Sequence, residues 1–187
     1  MTLRRLVALA PVPLLAACGT PTPTYAPATL PPVVSYVPAR TAGVPPCLGG
    51  DLRITLTARD RFRTGAPVRA LIKAVNVSDR TCRVTGWLTL GLVDAAERVE
   101  PVRVEPVERP GPAERVDVEP GRFAPAGLKW IPCASGTAGC RSGIGLRVAA
   151  PGGVPQQATL ENFPPAVVMS AVQIGPFRTD PIGVLAW

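Results

Sequence analysis

The chain has 187 residues, a formal net charge of +7, 24 prolines, 18 glycines, five cysteines and no histidine. Without histidine, the Ser/His/Asp and Cys/His nucleophile systems and the common zinc sites lose their main component, and the length suits one core plus a linker rather than two ordinary domains. Nearly all the basic charge is arginine, a usage that GC-rich coding favours, and it alternates with Asp and Glu between Arg98 and Arg122 without the basic blocks and interleaved aromatics of a nucleic-acid surface.

In chain order, Arg4 and Arg5 precede an uncharged run, Leu6 to Leu15, that ends in Leu15-Ala16-Ala17-Cys18. The run is about ten residues, far short of the roughly 20 that span a bilayer as a helix, and Pro11 and Pro13 interrupt it. A charged start, a short apolar stretch and a small-residue cleavage site read as a processed export signal over residues 1–17. A cysteine directly after Leu-Ala-Ala resembles the bacterial lipobox. The resemblance implies cleavage before Cys18, a lipid group on its thiol, and attachment to the outer face of the cell membrane. Stable attachment needs more than one acyl chain, because each buried methylene contributes about 0.8 kcal/mol and a single chain holds only marginally.

Residues 18–46 form a linker in the predicted layout, with eight prolines between Gly19 and Pro46. Such a stretch lacks donors for helix or sheet ladders and is expected to be extended and polyproline-like. From Cys47 to the end at residue 187 the pattern changes to short runs with period-two alternation. They are Arg53 to Thr57, Val68 to Val77, Val84 to Val93, Val99 to Val104, Ala113 to Val118, Phe123 to Ile131, Ile144 to Ala149 and Val167 to Ile174. With no helical apolar face between them, these runs predict an all-β, immunoglobulin-like antiparallel sandwich. The prolines crowding Pro101 to Pro125 suit edge strands and corners. Trp87, Trp130 and Phe123 are expected in the core.

An even set of four cysteines, Cys47, Cys82, Cys133 and Cys140, in an exported domain predicts disulfides. Of the three pairings, Cys47–Cys82 with Cys133–Cys140 is favoured, since the second pair brackets the turn-rich segment Ala134 to Gly139. No metal site and no cofactor are expected, and none of the five serines lies in a nucleophile motif.

Cys47 ahead of the first strand, Val75-Asn-Val-Ser-Asp-Arg-Thr-Cys82, Arg83-Val-Thr-Gly86 before a strand ending at Asp94, and Val118-Glu-Pro-Gly121 before the apolar run to Trp130 occur in an order that resembles the domain of unknown function 4232 family. The resemblance covers roughly Cys47 to Ala149 and implies the fold and a staple from Cys82 to the first strand, not an activity. Cys133 and Cys140, close together in one loop, depart from the family's usual placement of a late cysteine.

The expected function is a non-catalytic binding or structural module of the cell envelope, held by the Cys18 anchor and meeting an envelope protein or an anionic wall polymer, with no nucleic-acid partner. Two alternatives stand beside it. One is a wall-glycan enzyme using carboxylates such as Glu97, Asp117 or Glu119, although acids interleaved with arginines read more simply as ion-paired edge strands. The other is a carrier that opens between its sheets for a small apolar ligand. Asp51 and Asp60, which flank the first strand, read as turn residues.

Overall fold

The computed structural model describes residues 43–187, and every regular element among them is a strand. The elements are β1 (Leu52–Ala58), β2 (Val68–Asn76), β3 (Cys82–Thr85), β4 (Thr89–Val93), β5 (Val99–Pro101), β6 (Arg103–Pro106), β7 (Arg115–Val118), β8 (Phe123–Trp130), β9 (Arg141–Gly143), β10 (Gly145–Ala149), β11 (Gln156–Gln157), β12 (Thr159–Glu161), β13 (Val167–Met169) and β14 (Ala171–Ile174). They form a six-stranded sheet in the order β12-β1-β2-β8-β14-β6, a four-stranded sheet β11-β10-β4-β5, and the ribbons β3-β7 and β13-β9. The fold is the expected all-β sandwich. Most pairings are antiparallel, while the edge strands β12 and β6 run parallel to β1 and β14.

Alternation builds the core. Along β2, Val68, Ala70, Ile72 and Ala74 are fully buried, and the register sets them opposite Trp130, Leu128, Ala126 and Ala124 of β8. Ile54 and Leu56 of β1 and Ile174 of β14 extend this inner face. Leu90 and Leu92 of β4, Leu146 and Val148 of β10, and Val84, Val116 and Val118 of the β3-β7 ribbon belong to the same cluster. One core therefore joins both sheets, as two facing half-apolar layers require.

Three runs expected as single strands are each broken in two. Val84 to Val93 divides at Gly86-Trp87-Leu88, Val99 to Val104 at Val102, and Val167 to Ile174 at Ser170, and in every case the halves join different sheets. The physical reason is a corner: a strand that leaves one sheet for the other keeps its alternation but needs a bend. Gly86 supplies one of these bends with φ of 96°, a conformation that costs glycine little. Short β9, β11 and β12 were not anticipated.

Two expectations about individual side chains are corrected. Phe123 is 39% exposed, because it takes the solvent side of β8 while its neighbour Ala124 points inward. Trp87 lies at the corner between β3 and β4, partly buried, and its indole Nε1 donates to the Val107 carbonyl at 3.0 Å. Trp130 is in the core as expected, stacked on Phe163 with ring centroids 5.8 Å apart, and Phe62 tilts against both rings. Pro125 sits in β8, an interior strand rather than an edge. It is tolerated because its position opposite Lys73 turns the missing N–H away from β2. On that far side the Pro125 carbonyl accepts the Arg178 N–H at 2.8 Å.

The C-terminal segment 176–187 folds back over the outer face of the six-stranded sheet. Phe177 and Val184 are buried, and a Cβ placed at Gly127 would run into the Val184 carbonyl. Arg69 donates to the Leu185 carbonyl at 3.2 Å, and the Lys129 ammonium lies 5.9 Å from the Trp187 ring. This strap explains why Leu71, on the outward side of β2 opposite Gly127, is only 6% exposed.

Candidate functional site

Both disulfides form as paired above, Cys47–Cys82 and Cys133–Cys140. The first does not staple β1 itself. It clamps the segment ahead of β1 to β3: the Cys47 N–H donates to the Arg83 carbonyl, the Arg83 N–H donates to the Pro45 carbonyl, and Pro46 bridges Arg83 in parallel. Such bonds persist in oxidising, extracytoplasmic compartments. No helix among the described residues is long and apolar enough to cross a membrane, and no group of acids and cysteines among them is arranged to hold a metal ion. Cys18, the expected signal over 1–17 and most of the linker lie outside the described residues.

The Asn76-to-Cys82 turn is built on a fully buried amide. The Asn76 Nδ2 donates to the carbonyls of Arg80 and Val118, both at 2.8 Å, and its Oδ1 accepts from the Ser78 N–H and hydroxyl. Its backbone N–H donates to the Arg122 carbonyl and its carbonyl accepts from Gly121. One side chain thus ties the β2–β3 turn to β7 and to the Pro120-Gly121 turn, holding Cys82 in place for Cys47.

The candidate carboxylates do not converge. Asp117 and Glu119 border a small hollow with Arg122 and Thr179, whereas Glu97 borders a separate one with Asp94 and Arg147. Asp117 is gripped by the Arg83 guanidinium through both oxygens, which holds its carboxyl below the ordinary value. Asp94 is lowered chiefly by the Arg98 backbone N–H, and Asp60 chiefly by the Arg69 guanidinium. Asp51 caps its turn by accepting from the Leu48 N–H at 2.8 Å, and also pairs with Arg80.

A broad concavity lies on the solvent face of the four-stranded sheet. It is a shallow, largely apolar hollow of about 480 Å³, floored by Gly91 and Ala149 and walled by Val99, Pro101, Val154 and Pro155, with Arg147 at its margin. Alternation creates it, since Leu90, Leu92, Leu146 and Val148 face the core and leave Gly91, Arg147 and Ala149 on the other face of the sheet. Gly91 keeps the floor low: a Cβ there would come within 2.7 Å of the Val99 side chain. Val99 and Val154 are 48% and 65% exposed, and among the described residues no acid pairs with Arg147. Sequence reasoning missed this hollow. The available signal was Val99-Glu-Pro101, whose valine and proline both face outward once the corner at Val102 is known.

No curated protein and no solved structure matches the chain. The family described as "Domain of unknown function (DUF4232)" matches residues 47–178, from the first stapled cysteine into the strap and beyond the span legible in the motifs, and the chain belongs to that family.

Proposed function

We propose that this chain is an envelope lipoprotein, anchored by lipid on Cys18, whose sandwich is a non-catalytic binding module. The observation that carries the binding role is the apolar hollow on the outside of the four-stranded sheet, where half-exposed valines surround a floor of small residues beside an unpaired arginine. Such a surface suits a partner that presents an apolar group next to an acidic one. The separation of Glu97 from Asp117, and the grip of Arg83 on Asp117, support the non-catalytic side of this proposal over the wall-glycan enzyme. The space between the sheets is filled by the core, so a carrier that opens there would need to break it.

The test has two arms. In intact cells, Cys18→Ala should move the protein out of the membrane fraction; retention in that fraction would remove the anchor. A photo-crosslinking side chain at Val154 should then give a discrete adduct that Val99→Asp and Arg147→Glu abolish. An adduct no stronger than one formed from Ile182, exposed elsewhere, would remove the binding face.

A further inference from the structure

The loop between β1 and β2 carries Arg59-Asp60-Arg61-Phe62-Arg63, and its side chains alternate in exposure. Asp60 and Phe62 turn inward. Asp60 accepts the Arg69 Nε and Nη2 and the Arg69 backbone N–H, at 2.8, 2.8 and 2.9 Å. The Phe62 ring packs 5.6 Å from Trp130 and 5.5 Å from Phe163. Arg59, Arg61 and Arg63 turn outward and exposed, and among the described residues none of them enters an ion pair. The loop bends at Asp60, and with Asp60 and Phe62 turned inward its outward side presents three guanidinium groups within five residues.

The surroundings sharpen this charge. Gly65 of the loop donates to the Pro132 carbonyl, which places segment 131–140 beside it, and Phe163 places segment 162–166 beside it. Neither segment contains an acid. Glu161, the acid at the end of neighbouring β12, accepts the Thr57 hydroxyl at 2.6 Å. The one acid inside the loop, Asp60, is committed to Arg69. Elsewhere on the domain, five arginines pair with carboxylates, at Arg80–Asp51, Arg83–Asp117, Arg98–Asp94, Arg103–Glu105 and Arg178–Glu114, and the others without an ion pair among the described residues, Arg53, Arg109, Arg115, Arg122, Arg141 and Arg147, are spread singly over separate strands and turns. It is therefore the placement of these three arginines, not the number of arginines in the chain, that is informative.

We propose that Arg59, Arg61 and Arg63 form a binding surface for a linear polyanion, a polymer bearing an anionic group on successive repeats. A cluster of forked, permanently charged donors on one loop suits a polymer that offers several phosphates or carboxylates at once. The Phe62 anchor keeps the loop from collapsing, so less ordering accompanies binding. A polymer is favoured over a lipid surface by position: the chain enters the domain at Gly43 to Cys47, beside the start of β1, whereas the arginines follow its end, at the opposite pole. The surface is independent of what occupies the sheet hollow. The export proposal supplies only the compartment in which such a polymer would be met.

The experiment uses the full chain with Cys18→Ala, so that no acyl group contributes, freed of detergent and passed over immobilised inorganic polyphosphate, polygalacturonate or neutral dextran. Retention by one or both polyanions and not by dextran is expected, falling by about tenfold or more between about 0.05 and about 0.2 M salt. Arg59→Gln/Arg61→Gln/Arg63→Gln should abolish it with the thermal midpoint unchanged, since Asp60 and Phe62 stay. Polyphosphate alone would identify phosphates as the repeat, polygalacturonate alone carboxylates. Equal loss in Arg53→Gln/Arg115→Gln/Arg122→Gln, which removes three exposed arginines elsewhere, would reduce the effect to net charge and overturn the surface. No retention of the parent chain, or arginine-dependent binding only to vesicles of anionic lipid, would overturn it as well.

Discussion

Replacing Asn76 by alanine removes the most connected polar side chain of the domain. The amide is fully buried and makes two donor and two acceptor contacts, of which the bond to the Val118 carbonyl is itself buried. A typical hydrogen bond contributes about 1 kcal/mol net, and leaving a buried carbonyl without a partner costs about 1–3 kcal/mol. Water can replace part of what Ser78 and the Arg80 carbonyl lose, so the sum is about 3–4 kcal/mol. At about 2–4 °C per kcal/mol for a domain of this size, the midpoint should fall by roughly 10 °C. Urea and thermal unfolding of the oxidised protein measure both quantities. Asn76→Asp adds a sign that alanine lacks. Its carboxylate would face the Val118 and Arg80 carbonyls, so its folded pKa would lie above the unfolded value of about 3.9. The destabilisation should then be full at neutral pH and shrink as the pH falls through that folded value. A loss under about 1 kcal/mol for Asn76→Ala would refute the network's role in holding the turn and would leave Cys82 positioned by the disulfide alone.

Other consequences follow from the same geometry. Trp130→Ala should cost about 3–5 kcal/mol by opening a cavity in the core, whereas Trp130→Phe should cost far less in the same unfolding assay, because the Trp130 Nε1 is buried without a hydrogen-bond partner. Removing Cys47–Cys82, whose ends are 35 residues apart, should destabilise by about 4 kcal/mol on a chain-entropy estimate. Removing Cys133–Cys140, 7 residues apart, should cost only about 2 kcal/mol, and equal effects of the paired Cys→Ser variants would contradict the difference in loop length. Arg69 lowers the Asp60 pKa, so this pair stabilises above the ordinary Asp value of about 3.9 and its contribution disappears as the pH falls through the depressed folded value. Asp60→Asn should flatten that part of the stability-versus-pH curve, and an unchanged curve would mean the partly buried pair contributes nothing.

The class of fold was legible because alternation survives the bends. Val84 to Val93 reads as one period-two run, and its alternate residues Val84, Leu88, Leu90 and Leu92 do join the core, but β3 and β4 belong to different sheets, and in β4 Gly91 and Val93 are covered on the other face as well. A period reports which side chains face inward, not which sheet carries them, so the change of sheet at Gly86 was not visible. Pro125 failed as an edge marker for a related reason. Proline excludes a strand only where its N–H would be needed, and register decides that. The cysteine pairing was readable from spacing, yet the object of the first staple was not: only the pairing of Pro45 to Cys47 with Arg83 shows that Cys82 holds the incoming chain rather than β1.

The two binding surfaces differ in how far they could be seen. The hollow needs Gly91, Val99, Ala149 and Val154 together, residues that share nothing in the chain and meet only through the β10-β4-β5 register and the turn before β11. The three loop arginines are adjacent in the chain as Arg59-x-Arg61-x-Arg63, but the segment also holds Asp60, and a local charge count treats that acid as a partial counter-ion. Structure reverses the inference by giving Asp60 to Arg69 across the hairpin and Phe62 to the aromatic cluster. What reads locally as a mixed, self-neutralising turn is thereby sorted into an inward anchoring side and an outward cationic one. Where a charge points decides whether it is spent within the fold or left for a partner.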